Sequence, residues 1–391
     1  MNISSARPLA QALRNATYPR SNIPIIPTRS FTRSTTLQKR PILPVFAETT
    51  NADLNALLAS ARHYHIIPSL LSPAQRKLLY SPKSAEQLLN EPLYASIGDE
   101  EVELYPIATK SAGYKDKAED IPNKRQLFFQ ATQTARSRED WLNMVGLLEG
   151  FTAANSKGIR AGWLEKWVKY AFSSGQVEVV MMALRAVKTS GLSLRHEEVL
   201  RAVLWGLHGV GRGGVDEEVP GVVVGDWDVE ATSTAVMLVQ DVADLMEWEG
   251  HCGSRKVDVT DLRASPKLVG LMLELFAVQA RLTEGDVGKV KTYAGRLLDC
   301  IKQQGELFET KTKADLKDRY ETKHYIRGYI PVWHGLVEAK ALLGDDRPQP
   351  QFFDQTLQTI EGYLEQAQKT LESRNDRCDA LSLPQWTDRT S

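Results

Sequence analysis

The sequence predicts an all-α fold: antiparallel helix hairpins stacked into an α-solenoid-like repeat array that carries an extended N-terminal arm. Two observations predict it. From Lys124 almost to the end of the chain, apolar residues recur at intervals of three and four, the spacing of a helix with one buried stripe. The stripes come in pairs, divided by a turn of small residues and closed by a glycine, and one such pair recurs further along. An irregular all-α bundle would share the periodicity; the recurring unit favours stacking.

Residues 1–47 come first, and they contain Arg7, Arg14, Arg20, Arg29, Arg33, Arg40 and Lys39 with no acidic residue before Glu48. Arginines spaced among Ser, Thr and small apolar residues have the composition of a mitochondrial import presequence. Arg29-Ser30-Phe31 also resembles the matrix-peptidase cleavage pattern, so the expected compartment is the mitochondrial matrix. A tail that grips nucleic acid would be denser in charge and richer in lysine.

Residues 48–123 read as the arm. Leu54, Leu57, Leu58 and Ala61 predict a helix over 51–64, and Ser72-Pro73 and Ser81-Pro82 predict two short helices over 73–80 and 83–90, each with Ser as cap and Pro in the first turn. Glu101–Tyr105 alternates polar and apolar, the mark of a short extended segment, and 108–123 reads as an exposed linker.

The main body has helical regions at 124–208 and 230–305, a Gly- and acid-rich insertion at 209–229, and C-terminal helices with a tail at 306–391. In the first region Leu164, Trp167, Val168, Ala171 and Phe172 line one helix, and Val177, Val180, Met181, Leu184 and Val187 line its return after Gly175. So short a turn forces the pair antiparallel. Gly191 closes the return, and Val199, Leu200, Val203, Leu204 and Leu207 mark a third helix. The pair recurs from Pro266 to Gly305, with its turn at Thr283–Asp286. Helix is also expected over Glu230–Trp248 and over Tyr325–Leu343. The final seam of Phe353, Leu357, Ile360, Leu364, Ala367 and Leu371 suits a helix that caps a terminal repeat or pairs with a partner.

This layout is similar to that of the pentatricopeptide and tetratricopeptide repeat families. Trp163–Leu192 resembles the pentatricopeptide pattern in its turn glycine, Gly175, its aliphatic second helix and its terminal glycine, Gly191. It departs from that pattern at Val179 and Val187, where the family usually has Ala and Met, and the positions that read RNA bases are not recognisable. The resemblance implies a scaffold with a long binding surface. It further implies a place in mitochondrial gene expression, as a component or cofactor of translation on the mitoribosome. The alternative is a chaperone-like assembly factor for a respiratory complex.

Removing the presequence leaves 41 basic side chains against 49 acidic ones. An acidic chain is poorly suited to broad contact with a phosphate backbone, so the expected partners are proteins in a complex, and RNA contact would need a local basic groove. The candidate partner or RNA surface is Arg160, Trp163, Lys166, Lys169, Tyr170, Arg185 and Lys188. Trp167 belongs to the packed stripe, whereas Trp163 and Tyr170 are open to either role.

No catalytic, cofactor-binding or metal constellation is legible, and a non-enzyme is expected. Gly209–Gly214 has the letters GxGxxG, but a helix precedes it and Asp216-Glu217-Glu218 follows, the reverse of a phosphate cradle. His63, His65 and His251 lack the further ligands that a metal needs and are expected at the surface or at caps. Cys252, Cys300 and Cys378 match no metal or redox spacing. The most apolar window, Leu268–Ala280, contains Glu274 and is too short to cross a bilayer.

Overall fold

Helix α12, Pro266–Thr283, is buried on nearly every side, and the rest of the array is arranged around it. The computed structural model describes residues 43–107, 121–155, 157–216, 219–253, 257–258 and 260–387. The presequence up to residue 42 and the linker over 108–120 lie outside the described residues.

Along the chain, α1 (Ala52–Ala61) runs through a π-helical turn into α2 (Ile67–Leu70), followed by α3 (Pro73–Tyr80) and α4 (Pro82–Asn90). Asn51 caps α1, and Ser72 closes a capping box with Gln75 on α3. The extended segment expected at Glu101–Tyr105 is half of a hairpin, in which β1 (Tyr94–Ile97) pairs antiparallel with β2 (Glu100–Glu103).

The body then runs through α5 (Lys124–Thr134), α6 (Arg138–Ala153), α7 (Ala161–Ser173), α8 (Val177–Arg185), α9 (Val187–Ser190), α10 (Glu197–Gly211) and α11 (Val229–Met246). After α12 come α13 (Gly288–Gln304), α14 (Glu306–Asp315), α15 (Arg319–Leu343), α16 (Pro350–Ser373) and α17 (Pro384–Thr387). Helices α5, α7, α10, α12 and α15 pack neighbour to neighbour as one row. Return helices cover that row: α8 on α7, α11 on α10 and α12, α13 on α12, α16 on α15. These are stacked hairpins, and the protein is an all-α array.

The hairpins are unequal. α7 has 13 residues and its return breaks at Ala186, whereas α12 and α13 have 18 and 17 and α15 and α16 have 25 and 24. At Gly191, which ends α9, φ is +71°, and an added Cβ would stand 2.5 Å from Thr152 Oγ1. Both facts require glycine there.

Both ends of the described segment are fastened to the array. Ala47 exchanges two hydrogen bonds with the Asn143 side chain on α6, at 2.9 and 2.7 Å. Near the other end Trp386 is buried edge-on against Trp333 of α15, and Gln385 accepts from Arg212 at 2.6 Å.

The insertion is folded. α10 continues to Gly211, and β3 (Gly214–Val215) then pairs with β4 (Val223–Val224). Gly225 has φ +86°, and a Cβ there would lie 2.2 Å from the Arg212 carbonyl oxygen, so the hairpin closes only with glycine. Gly209 and Gly211 serve packing, since their faces meet Val215 and Trp227.

One charge sits in the middle of this apolar row. Glu274 of α12 is fully buried; its Oε1 accepts from His334 Nδ1 of α15 at 2.8 Å, and its Oε2 stands 3.2 Å from His208 Nε2 of α10. His334 Nε2 reaches Glu338 Oε1 at 3.3 Å, and Arg281 donates to Glu338 Oε2 at 3.0 Å. Rings close the site: Trp205 stacks on His208 at 5.1 Å and Trp227 on His334 at 6.2 Å, while the Arg212 guanidinium lies over Trp227. Burial alone would raise the Glu274 carboxyl, but the two histidines outweigh it and hold it down at about 2. Burial would likewise lower His334, yet its hydrogen bonds to Glu274 and Glu338 raise it to about 9.

Close backbone approach completes the α12–α15 contact. A Cβ on Gly335 would fall 2.7 Å from the Glu274 amide nitrogen, and one on Gly270 would fall 2.5 Å from Val332 Cγ2.

Two measurements follow. In a solvent-exposed helix Gly335→Ala would gain about 1 kcal/mol of helix propensity; here the clash with α12 backbone should dominate and lower stability by about 1–3 kcal/mol in urea denaturation. A folded His334 near 9 against an ordinary 6.5 contributes stability that is full below pH 6.5 and lost as pH rises toward 9. Glu274 held near 2 against an ordinary 4.5 contributes above pH 4.5 and is lost on acidification toward 2. Stability should therefore fall between pH 6.5 and 9, and Glu274→Gln should cost about 3 kcal/mol at neutral pH and flatten that fall.

Candidate partner-binding surface

Helix α7 has two polar edges that face different neighbours. Arg160, Trp163, Lys166 and Tyr170 follow one another at helical intervals along the edge beside α5. Asn123 caps helix α5, its side chain accepting from the amides of Arg125 and Gln126, and the helix presents Lys124, Arg125 and Phe129.

Aromatic rings and cations interleave where the helices meet. Trp163 stacks on buried Phe128 at 5.5 Å and leans on Phe129 at 5.9 Å. Lys166 Nζ lies 4.5 Å from the Phe129 ring centre and 5.6 Å from that of Tyr170, and Arg125 covers Phe129 at 5.4 Å. Gln133 donates to the Tyr170 hydroxyl at 3.0 Å. Beside this edge a groove runs past Lys124, Phe151, Asn155 and Arg160, with Lys124 Nζ 4.2 Å from the Phe151 ring centre. Burial lowers the Lys124 ammonium below the ordinary lysine value.

Lys124, Arg125, Lys157, Arg160 and Lys166 form no ion pair with any described carboxylate. In a chain with excess acid, this leaves a local surplus of positive charge beside half-exposed rings. Such a face offers donors to oxyanions and flat surfaces to planar groups.

The other expected surface residues lie elsewhere. Lys169, on the opposite edge of α7, pairs with Glu165 at 2.8 Å. Arg185 of α8 is bound to Asp241 of α11 at 2.6 Å, and Lys188 stands exposed on α9. Trp163 and Tyr170, open on sequence alone, are both half-buried, each with one side packed. Sequence reasoning missed Lys124, Arg125 and Phe129, although the adjacent pairs Lys124-Arg125 and Phe128-Phe129 were a usable signal.

Two histidine expectations meet different outcomes. His65 is half-buried and donates its Nε2–H to the Pro122 carbonyl at 2.9 Å, tying the arm to the segment before α5. His251 is buried, contrary to expectation: its Nδ1 accepts from the Leu194 amide at 3.0 Å, and its Nε2 lies 3.1 Å from the Leu184 carbonyl. The first bond makes Nδ1 the acceptor, so Nε2 is the protonated nitrogen. The ring ties the α9–α10 turn to α8. Among the described residues no cluster of His, Cys, Asp and Glu could hold a metal ion, and no helix is long and apolar enough to cross a membrane.

Comparison with known proteins gives this array a family. The small ribosomal subunit protein mS27 of Neurospora crassa is 27% identical over 176 residues, which is 44% of this chain and 42% of that protein. The shared region thus spans less than half of the relative's length. Residues 29–387 match the family described as Mrp13, mitochondrial ribosomal protein mS27, over the helical body and beyond it. That span covers far more than half of the 391 residues, and the chain belongs to the mitochondrial ribosomal protein mS27 family.

Proposed function

We propose that the protein is a non-enzymatic helical scaffold of the small mitochondrial ribosomal subunit, residing in the matrix and held there mainly by contacts with other proteins. Membership of a ribosomal family over residues 29–387 carries this reading. The relative's description as a small-subunit protein supplies the subunit. The arginine-rich N-terminal sequence supports the matrix, and the stacked hairpins, of which α7–α9 come nearest to a pentatricopeptide unit, supply a long surface for neighbours. A role in respiratory-complex assembly draws nothing from a ribosomal family.

Net acidity argues for proteins as the main partners. The α5–α7 edge is the exception, and there the scaffold meets ribosomal RNA. Its cations lack carboxylate partners, and its rings stand beside them. Such contact stabilises by displacing counterions from phosphate. Arg185 and Lys188 lie further along the array and face protein neighbours.

Sedimentation of a tagged protein from mitochondrial lysate tests both parts. The wild type should travel with the small subunit in high salt; a protein that stays at the top of the gradient would remove the scaffold reading. At low salt, where phosphate contacts count most, Arg125→Glu combined with Lys166→Glu should weaken rebinding to salt-washed small subunits by roughly tenfold and flatten its salt dependence, with circular dichroism unchanged. Undiminished rebinding of that variant would leave the scaffold in place and withdraw the RNA-facing edge.

A further inference from the structure

Between α7, α10, α12 and α15 lies a cleft that none of the preceding roles explains. Its apolar walls include Trp205, whose indole donates to the Gly221 carbonyl at 2.8 Å, so the folded insertion forms one side. Its cavity measures about 80 Å³, several times the roughly 10–15 Å³ that one water needs.

Two polar side chains facing this cleft have no hydrogen bond. His324 of α15 is 4% exposed, and neither ring nitrogen has a hydrogen-bond partner; its ring stands edge-on to Tyr320 at 4.1 Å. Arg201 of α10 has a side chain 17% exposed and a buried Nε without an acceptor. Its terminal nitrogens reach Glu165 and Glu197 only at 4.0 Å, beyond hydrogen-bond distance. Leaving such groups unsatisfied is costly, and in native proteins each one calls for a partner.

The charge around them selects the partner. Lys169, Lys267 and Arg327 line the same cleft. Lys169 is paired with Glu165 at 2.8 Å and Arg327 with Asp379 at 2.5 Å, whereas Lys267 has no described carboxylate within 4.0 Å and lies over the Tyr329 ring. Burial and then Arg201, Lys169, Arg327 and Lys267 push the His324 imidazolium down to about 3. His324 is therefore a neutral donor at physiological pH, and the cleft sets the cations Lys169, Arg201, Lys267 and Arg327 against the carboxylates of Glu165 and Glu197.

We propose that this cleft binds a phosphate-class oxyanion, either inorganic phosphate or the terminal phosphoryl group of a small ligand, through the guanidinium of Arg201 and the imidazole N–H of His324, with Lys267 supplying unpaired charge. A guanidinium presents paired donors that match two phosphate oxygens. Glu165 keeps Lys169, and Glu197 stays at the rim. A cavity of about 80 Å³ suits a free or terminal phosphate, with one substituent at most, better than a polynucleotide backbone, which continues on both sides of each phosphate.

The test uses the purified full-length chain, with thermal shift and isothermal titration of sodium phosphate against sodium chloride of equal ionic strength, and parallel titrations of AMP and of oligouridylate lacking terminal phosphates. Saturable stabilisation by phosphate is expected. An equal or stronger response to AMP assigns the phosphoryl group of a small ligand, and a response to phosphate alone assigns the free ion. His324→Phe removes the unsatisfied nitrogens, so its unliganded melting temperature should be retained or raised, while its phosphate affinity falls by roughly tenfold or more. Arg201→Gln should lose the response equally, which keeps the test decisive if either variant folds poorly. Absence of saturable phosphate binding, binding of oligouridylate alone, or undiminished affinity in both folded variants would overturn the proposal. None of these outcomes depends on whether the chain joins the ribosome.

Discussion

A carboxylate enclosed in a helix that is buried on nearly every side is the constraint on which the array rests. Stripping water from a charged group costs several kcal/mol, and only well-placed partners repay it. Glu274 finds them on two different helices, His208 on α10 and His334 on α15, and the pattern extends through Glu338 to Arg281. Leucines would pack about as tightly in several registers. An acid that must meet two imidazoles is met in one. The glycines at 270 and 335 let α12 and α15 approach closely enough for the shorter contact.

Aromatic rings carry this arrangement outward. Trp205 and Trp227 cover the two histidines, and Arg212 lies over Trp227. Trp205 is also held by the insertion at Gly221, and Arg212 by the C-terminal segment at Gln385. Segments that look like decoration in the sequence thus roof the polar centre. Gly225, the one residue whose backbone can pass the Arg212 carbonyl, lets the roof close.

Much of the helical layout was legible because a buried stripe imposes its period on the residues that form it. The ends of α3, α9 and α12 are readable from Ser72, Gly191 and Pro266, since caps and breakers act locally. The site was only half legible. Arg160, Trp163, Lys166 and Tyr170 share an edge that helical spacing reveals, but their companions Lys124, Arg125 and Phe129 come from another helix. Lys169 differs from Lys166 by three residues in sequence and by a whole neighbour in space, because Glu165 draws it toward α10. Pairings such as Arg185 with Asp241 or His251 with Leu194 join distant stretches, and no local pattern encodes them.

Arrays of stacked hairpins normally tolerate fraying, since each unit touches only the next and can melt without disturbing the remainder. This chain is fastened across such boundaries. Ala47 is clasped by Asn143, and at the far end Gln385 and Trp386 hold an arginine 173 positions earlier and a tryptophan on α15. Losing either of these segments therefore exposes groups on α6, α10 or α15, which couples the margins of the stack to its middle. A neighbour pressed against one side of such a stack meets a stiff wall, able to pass load along its length without shedding its outermost turns.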